Sequence, residues 1–378
     1  SAILPTLDFN ASLARTRSAG ALLLSGVPVA GQQTVGFFNN LQGGVTLRQL
    51  VFDGGRWWNN MAASELALDS NQAQVDEQRL QITYLVEQRF YELVRAQRTL
   101  LVLTDAAKRS RDQADYTQRL FEGGRATQAD VYAARANRDN DEVTRLGQES
   151  TVELARADLA VAIGIDPAEP LAVAEPPRLM QDPAQPPPAA DAVARAMQQR
   201  PSLKAFALTA ESNRKAATAA YGDYWPRVAL QGSWQRSVSN LDEFLGNPAE
   251  NSQLTGAVVL TWNAFNGLAT NANVEKAKIQ VLLAENDLAN GRRNVASDVE
   301  KAVAQLATAR QQARVAQQAE QTAKEGLRLA RTRQEVGVGN QLEVRDAELK
   351  LTQAQLNVVG SLVNGREAEA ALRRAQGG

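Results

Sequence analysis

Glu343 and Asp346 are the two side chains whose type and spacing allow them to act together. They lie three residues apart in a segment with helical periodicity, so they share one face of the predicted helix. Leu342, Leu349 and Leu356 form a seven-residue row on an adjacent stripe. The acidic pair would attract cations and oppose anions if it lined a narrow passage. The alternative is a solvated outer surface, because Glu and Asp side chains are usually exposed.

The residue types that the sequence lacks exclude several other kinds of chemistry. There is no His and no Cys, which removes Ser-His-Asp and Cys-His sites, disulfides and nearly all zinc-site patterns. No Gly-rich phosphate loop is present, so we predict a protein that is not an enzyme and has no cofactor or metal, with carboxylate-only chemistry left open. The 41 Lys and Arg residues nearly balance the 42 Asp and Glu residues, which disfavours a nucleic-acid partner.

The elements that position the carboxylates occur twice in the chain. The tripeptide Phe-Asp-Gly at 52–54 recurs 213 residues later as Phe-Asn-Gly at 265–267, and the same offset relates Gly124 to Gly337. Self-similarity at one fixed offset indicates two copies of one structural unit. A Pro-rich segment between the copies is predicted to be a linker or an irregular side domain.

The two copies predict a mainly α protein with a small β part. Each copy has two strands, which form a hairpin, followed by a pair of long helices. The segment between Arg17 and Asn40 is predicted to be a loop. The first repeat is predicted over 1–165, with strands 4–16 and 40–52 and helices 56–121 and 126–163. The Pro-rich segment is predicted over 166–190. The second repeat is predicted over 191–378, with a helix over 191–222, strands 226–237 and 253–264, and helices 268–335 and 341–375.

The predicted strands each have one apolar and one polar face. In the first strand, Leu7, Phe9, Ala11 and Leu13 alternate with polar residues. Each run has about 10–12 residues, which is the length that crosses a bilayer as a tilted strand. A soluble hairpin with one buried face is the alternative. The membrane interpretation is favoured because the rest of the chain offers no sheet on which these hairpins could pack.

The predicted helices carry seven-residue apolar rows, as helices that supercoil around one another do. The helix over 56–121 contains no Gly or Pro and would be about 100 Å long at roughly 1.5 Å per residue. Alanine at many seam positions allows helix axes to approach closely. An ordinary coiled-coil rod stays open, but it does not explain why an amphipathic hairpin precedes each helix pair.

Several short motifs recur in a fixed order: Leu-Val-Phe-Asp-Gly-Gly-Arg at 50–56, Arg-Pro-Ser-Leu at 200–203 and the helix turns at 119–131 and 335–344. With these motifs the chain resembles the TolC-like outer-membrane efflux proteins over essentially its whole length. The resemblance implies a 12-stranded outer-membrane β-barrel that three copies build and that an α-helical barrel continues in the periplasm. Four strands cannot close such a barrel, whereas three copies supply twelve.

The resemblance also implies a function and partners. The chain would be the exit duct of a tripartite efflux or type I secretion system, in the cell outer membrane with its helical part in the periplasm. Its partners would be two further copies, outer-membrane lipid, a periplasmic adaptor (membrane fusion) protein and, indirectly, an inner-membrane transporter. The competing class is a soluble periplasmic coiled-coil scaffold or adaptor protein.

The candidate site residues form three sets. By the resemblance, Glu343 and Asp346 match acidic positions that form rings at the periplasmic entrance; Asp130 is the counterpart of Glu343 in the first copy, where Ala133 replaces Asp346. Adaptor hairpins would dock on the helix turns, whose residues are Gly123, Gly124, Arg125, Gly337 and Gly339. Aromatic residues at the strand–helix junctions predict an interface girdle, or else a plug at the junction; these are Trp57, Trp58, Tyr224, Trp225 and Trp262.

The sequence does not determine where the native chain starts or which cargo the duct would carry. The second copy has a helix before its first strand, whereas the first copy begins almost at its strand, so we expect an additional upstream helix of roughly 30–60 residues. The native N-terminus and its lipidation, the pump and adaptor, and the open or closed resting state are not determined. Drug, metal and protein cargo are not separated, although the lack of Cys and His and the three Met residues disfavour a soft-metal route.

Overall fold

The computed structural model describes residues 4–24, 27–169, 171–174, 176, 177, 179–247 and 249–378, with only the backbone described for 18–24, 27–36 and 38. The prediction of a mainly α chain with a small β part is confirmed. The strands are β1 (Thr6–Leu24), β2 (Val27–Phe52), β3 (Arg227–Val238) and β4 (Ser252–Thr261). The helices are α1 (Arg56–Glu122), α2 (Gln128–Ile163), α3 (Ala189–Gln199), α4 (Pro201–Tyr221), α5 (Leu241–Leu245), α6 (Ala269–Glu335) and α7 (Gln341–Gln376).

The helix lengths follow the sequence repeat. The first helix of each pair, α1 or α6, has 67 residues, and the second, α2 or α7, has 36. None of the helices in the described ranges combines the length and the apolar character that crossing a membrane requires.

The four strands form one antiparallel sheet in the order β1-β2-β3-β4. One row across the sheet joins Phe9 to Val45, Val45 to Trp234 and Trp234 to Leu254. Directly opposed residues point to the same side of a sheet. This row therefore places apolar side chains from all four strands on one face, here called the apolar face of the sheet.

The first hairpin is longer than predicted. Backbone pairing continues from Thr6 opposite Arg48 to Leu24 opposite Val27, with one register irregularity between Ala21 and Leu23. The predicted loop between Arg17 and Asn40 is therefore wrong, since most of it is strand. The Gly, Pro and Ser residues of this segment resemble a loop in composition, but each arm satisfies its backbone hydrogen bonds on the other arm.

The single helix predicted over 191–222 is also wrong. It is divided into α3 and α4 at Arg200, whose backbone is extended at φ −69° and ψ 119°, and a 3₁₀ turn follows at Gly222–Tyr224. Proline disfavours the helical conformation of the residue before it and lacks the N–H that a continuous helix needs. Pro201 accordingly ends one helix and occupies the first position of the next.

The chain divides into two compact units. The first contains Ser1–Ser70 and Phe206–Asp287, and so holds the sheet; the second contains Asn71–Ala205 and Leu288–Gly378. In the second unit, the largest apolar cluster brings Val299 and Leu306 of α6 against Ala192 and Ala196 of α3 and Leu372 of α7. The alanines leave room for close helix packing, as the seam composition predicts.

Candidate functional site

The turn between α6 and α7 is a compact helix end. The Val338 N–H donates to the Arg333 carbonyl at 3.0 Å, and the Gly337 N–H donates to Gln334 at 3.1 Å. Gly337 has φ +79°, the left-handed conformation that only Gly adopts at low cost. A Cβ on Gly339 would lie 2.9 Å from the backbone nitrogen of Gln334, so this residue is small because the chain folds back onto the helix end.

The turn between α1 and α2 repeats this geometry. The Arg125 N–H donates to the Leu120 carbonyl at 2.7 Å, and Gly124 has φ +70°. A Cβ on Gly124 or Gly337 would meet no atom within 4 Å, so the requirement for Gly is conformational rather than steric. Gly123 has no positive φ, so the backbone reversal does not need Gly at that position. The side chain of Arg125 is exposed.

The two predicted entrance carboxylates lie at the start of α7, each beside a basic residue. Asn340 caps the helix by accepting the Glu343 N–H at 2.8 Å. The Glu343 carboxylate pairs with Arg333 across the turn at 3.1 Å, and Asp346 pairs with Lys350 one helical turn later at 2.7 Å. All four side chains are at least 40% exposed, so bulk solvent screens both pairs.

Glu343 and Asp346 border an open groove between α6 and α7. Its floor consists of small residues from both helices, and its lining includes Lys350. The small residues are Ala319, Ala323, Gly326, Ala330, Ala347 and Ala354. A groove with an alanine floor and a charged border can receive another helix along its length.

Asp130 occupies the same position of α2 but acts differently. Its carboxylate accepts the backbone N–H of Thr127 at 2.9 Å, and the Thr127 hydroxyl accepts the Asp130 N–H at 3.2 Å, which forms a capping box. The Thr127 hydroxyl and then the Thr127 N–H lower the pKa of Asp130 below its ordinary value. The first copy therefore uses its acidic residue for a local cap, whereas the second uses Asn340 and leaves Glu343 to pair with Arg333.

The predicted interface aromatics lie together in the first unit. Trp57 and Trp58 contact edge to face, with ring centroids 4.4 Å apart. The Trp262 indole N–H donates to the Tyr224 carbonyl at 3.2 Å, which joins the end of β4 to the start of β3. Trp58, Trp225 and Trp262 remain about 60% exposed.

One buried and one half-buried ion pair in the second unit were not found from the sequence. Arg200 and Glu77 approach to 3.0 Å, and the Ser202 N–H donates to the same carboxylate at 3.3 Å. Burial by itself would raise the pKa of Glu77, but the hydrogen bond and charge of Arg200, with the Ser202 N–H, lower it overall. Arg200 belongs to the Arg-Pro-Ser-Leu segment, which was the one sequence signal at this position.

The second pair links the two repeats. Arg345 of α7 donates two hydrogen bonds to Asp141 of α2, at 2.7 and 2.9 Å. Such a two-pronged contact fixes the relative position of the two helices more strictly than one bond would. Within the described ranges, no group of three or more Asp or Glu side chains is arranged to hold a metal ion.

A protein-family model and a curated relative match the chain. The family model for outer membrane efflux protein matches residues 1–165 and 192–378. Protein CyaE of Bordetella pertussis is 27% identical over 287 residues, which are 73% of this chain and 57% of that protein. The chain therefore spans little more than half the length of this curated relative.

Solved structures share the fold over nearly the whole chain. A membrane protein from Pseudomonas aeruginosa aligns with a TM-score of 0.82 at 21% identity, covering 99% of this chain and 85% of that chain. The open state of the Neisseria gonorrhoeae MtrE outer membrane channel aligns with a TM-score of 0.80 at 19% identity, covering 100% of this chain and 81% of that chain. Because the family model spans both repeats, the chain belongs to the outer membrane efflux protein family, as the TolC-like resemblance predicts.

Proposed function

We propose that the chain is one protomer of a trimeric exit duct in the outer membrane. The observation that carries this proposal is the exposed apolar face of the sheet. Phe9 and Leu13 of β1 are each 75% exposed, and Leu254 and Val258 of β4 are 82% and 71% exposed. A sheet face of this kind is stable when lipid covers it, and membership of the outer membrane efflux protein family supports that environment.

The sheet needs further strands to be stable in lipid. β1 and β4 are its two edges, and lipid offers no hydrogen-bond partner for their free backbone groups. Three copies joined edge to edge would close a barrel of twelve strands. This number exceeds the roughly eight strands whose interior side chains fill, so a lumen would remain. A single copy would leave open strand edges. A pair of copies would form a barrel of eight strands with a filled interior.

The second unit would form the periplasmic part of the duct and its entrance. We infer that Glu343 and Asp346 face the bore near the α6–α7 turn, and that threefold symmetry gives a ring of six carboxylates there. Asp130 would contribute a weaker ring, because its carboxylate is held by the capping box. The neighbouring Arg333 and Lys350 would moderate the negative potential of the entrance.

The helix turns would be the docking end for the adaptor. Gly124 and Gly337 shape two equivalent helix ends, with Gly123, Arg125 and Gly339 beside them. We propose that the helical hairpins of a periplasmic adaptor pack along these ends, and that the adaptor connects the duct to an inner-membrane transporter of an efflux or type I secretion system. This function requires no catalytic group and no cofactor, so we propose that the chain is not an enzyme.

The division into repeats supports the same assembly. We propose that 1–165 and 191–378 each supply one hairpin and one long helix pair, with 166–190 as the connecting segment. The exposed aromatics Trp57, Trp58, Tyr224, Trp225 and Trp262 would lie where the barrel meets the periplasmic interface.

Ion conduction tests this proposal. Purified protein added to a planar bilayer should produce discrete current steps, and these should become rare when Leu254→Asp places a charge on the face that lipid would cover. Membrane-inserted protein that gives no current steps at either polarity would overturn the proposal. Protein that does not insert at all would favour the soluble scaffold instead.

A further inference from the structure

A one-turn helix covers part of the sheet at its turn end. Asn240 caps α5 by accepting the Glu243 N–H at 2.8 Å. The Phe244 ring lies against Gly43 of β2 so closely that a Cβ on residue 43 would overlap it. We call Asn240–Gly246 the α5 flap; the contact with Gly43 fixes the flap on one side of the sheet.

The α5 flap lies on the apolar face of the sheet. Gly43 is paired with Arg236, and the next row on the same side contains Val45, Phe9 and Leu254. Residues two apart in a strand share a face. Phe244, which sits over the Gly43 position, is therefore on the side that exposes Phe9 and Leu254.

The flap covers a cation that this face would otherwise expose. Arg236 is only 4% exposed, and its guanidinium donates to the carbonyls of Glu243 and Gly246 and lies 6.0 Å from the centroid of the Phe244 ring. A guanidinium facing hydrocarbon is costly unless carbonyls or an aromatic ring accompany it. The flap supplies carbonyls to the two Nη atoms and a ring beside the guanidinium, which lowers the cost of placing this face against lipid.

The flap also presents apolar side chains outward. Leu241 and Leu245 are four residues apart and therefore lie on one side of the helical turn. They are 62% and 75% exposed. Arg15, farther along β1 on the same face, has its guanidinium 4.9 Å from the centroid of the Phe37 ring, which marks the end of the apolar band. Gly43, which the flap contacts, is four residues from Asn39, the partner of Arg15, so the flap lies toward this end of the band.

We propose that the α5 flap is an interfacial membrane anchor, with Leu241 and Leu245 inserted at the boundary between lipid headgroups and acyl chains. An apolar pair beside Asp242 and Glu243 gives this segment the two-sided character of interfacial helices. The proposal rests on the proposed function, because it requires that the apolar face meets lipid. The occupant of the outer side of the flap is thus the bilayer and not a second copy of the chain.

Single spin labels test the anchor, and the absence of native Cys makes each label unique. The full chain with Leu245→Cys is labelled and placed in vesicles of phosphatidylethanolamine and phosphatidylglycerol. Collision rates are measured with oxygen, which concentrates in lipid, and with a nickel chelate, which stays in water. The oxygen-to-nickel ratio at position 245 should be several-fold higher than at the control Glu250→Cys. Phe244→Ala should lower this ratio several-fold by releasing the flap.

A second label separates the possible failures. Leu254→Cys reports on the apolar face itself and should show a high oxygen-to-nickel ratio. If 254 is in lipid but 245 collides freely with nickel, the flap is in water and the anchor is overturned while the duct survives. If 245 is shielded from both reagents, another protein surface covers it and the anchor is also overturned. If 254 collides freely with nickel, the proposed function itself fails.

Discussion

Glu343 and Arg333 face each other across the α6–α7 turn, with 3.1 Å between the carboxylate Oε1 and the guanidinium Nε. Asp346 is accompanied in the same way by Lys350. Each chain therefore brings two negative and two positive charges to this turn. The cation preference expected of a purely acidic ring would be moderated, and both signs of charge can be tested separately.

Removing the carboxylates should change ion selectivity. In Glu343→Gln with Asp346→Asn, Arg333 and Lys350 remain without their partners, so the entrance becomes positive and the cation-to-anion permeability ratio should fall several-fold. The measurement is the reversal potential of single channels under a salt gradient. Block by multivalent cations should weaken in parallel.

The opposite variant is the matched control. Arg333→Gln with Lys350→Gln leaves the carboxylates unpaired and should raise the same ratio. If neither variant changes the reversal potential or the block, these residues do not line the entrance. Asp130→Asn should have a smaller effect, because the capping box holds that carboxylate.

The buried Arg200–Glu77 pair should contribute strongly to stability. Glu77→Ala leaves the Arg200 guanidinium, which is 7% exposed, without its partner, and breaking a buried pair costs about 3–5 kcal/mol. The thermal unfolding temperature in detergent should fall clearly. Asp76→Asn one residue away removes the exposed Asp76–Arg79 pair and should cost less than about 1 kcal/mol. Equal effects would contradict the buried role.

The same pair predicts a pH dependence. The pKa of Glu77 is lowered in the folded chain, since Arg200 and the Ser202 N–H outweigh the effect of burial. Because the pKa is lowered, the contribution of this carboxylate to the free energy of unfolding is present above the ordinary carboxyl pKa. It is lost as the pH falls through the pKa of Glu77 in the folded chain. Wild type should therefore lose stability on acidification more steeply than Glu77→Gln. Parallel pH profiles of the unfolding temperature would refute this assignment.

The glycines of the helix turns should differ in how much the fold depends on them. Gly124→Ala and Gly337→Ala force a side chain into the left-handed conformation, at a cost of about 1–2 kcal/mol each. Gly123→Ala has no such constraint, since its nearest neighbour is 3.5 Å from the added Cβ, and it should be nearly neutral. Unfolding temperature and adaptor-hairpin binding should both follow this order. Equal effects at 123 and 124 would mean that conformation is not the reason for Gly124.

The aromatic residues should report their depth in the bilayer. Trp58 and Trp262 are proposed to lie at the interface, whereas Trp234 lies in the middle of the apolar face. Lipids brominated near the headgroup should quench part of the tryptophan fluorescence of the protein. This quenching should decrease when Trp58 and Trp262 are replaced by Phe. Fluorescence quenching by lipids brominated near the bilayer centre should decrease when Trp234 is replaced by Phe. If Trp58 and Trp262 escape quenching by both lipids, they plug the junction instead.

The sequence repeat predicts most of the helices because long amphipathic patterns and turn glycines are local signals. Residues 56–121 and 268–335 were predicted within about two residues of α1 and α6. The division at Arg200 was missed although Pro201 is a visible signal, because the apolar pattern continues on both sides of it. The extension of β1 and β2 was missed because pairing of Gly- and Ser-rich arms depends on the partner strand rather than on residue type.

The side-chain contacts of the candidate site could be predicted less completely from the sequence than the helices. The Lys350 partner of Asp346 is four residues away and was foreseeable from helical spacing. The Asp141 partner of Arg345 is 204 residues distant, so only the packing of α7 against α2 brings the two together. The different roles of Asp130 and Glu343 depend on whether Thr127 or Asn340 begins the helix, which sequence inspection treated as equivalent positions.

The mass and detergent dependence of the particle test the central claim most directly. The chain should fractionate with the outer membrane, need detergent for extraction, and give by light scattering a protein mass three times that of one chain. Three copies are proposed because the edges β1 and β4 would close on other copies in lipid, and twelve strands would leave a lumen whereas eight would not. A monodisperse monomer that stays soluble without detergent would contradict the account.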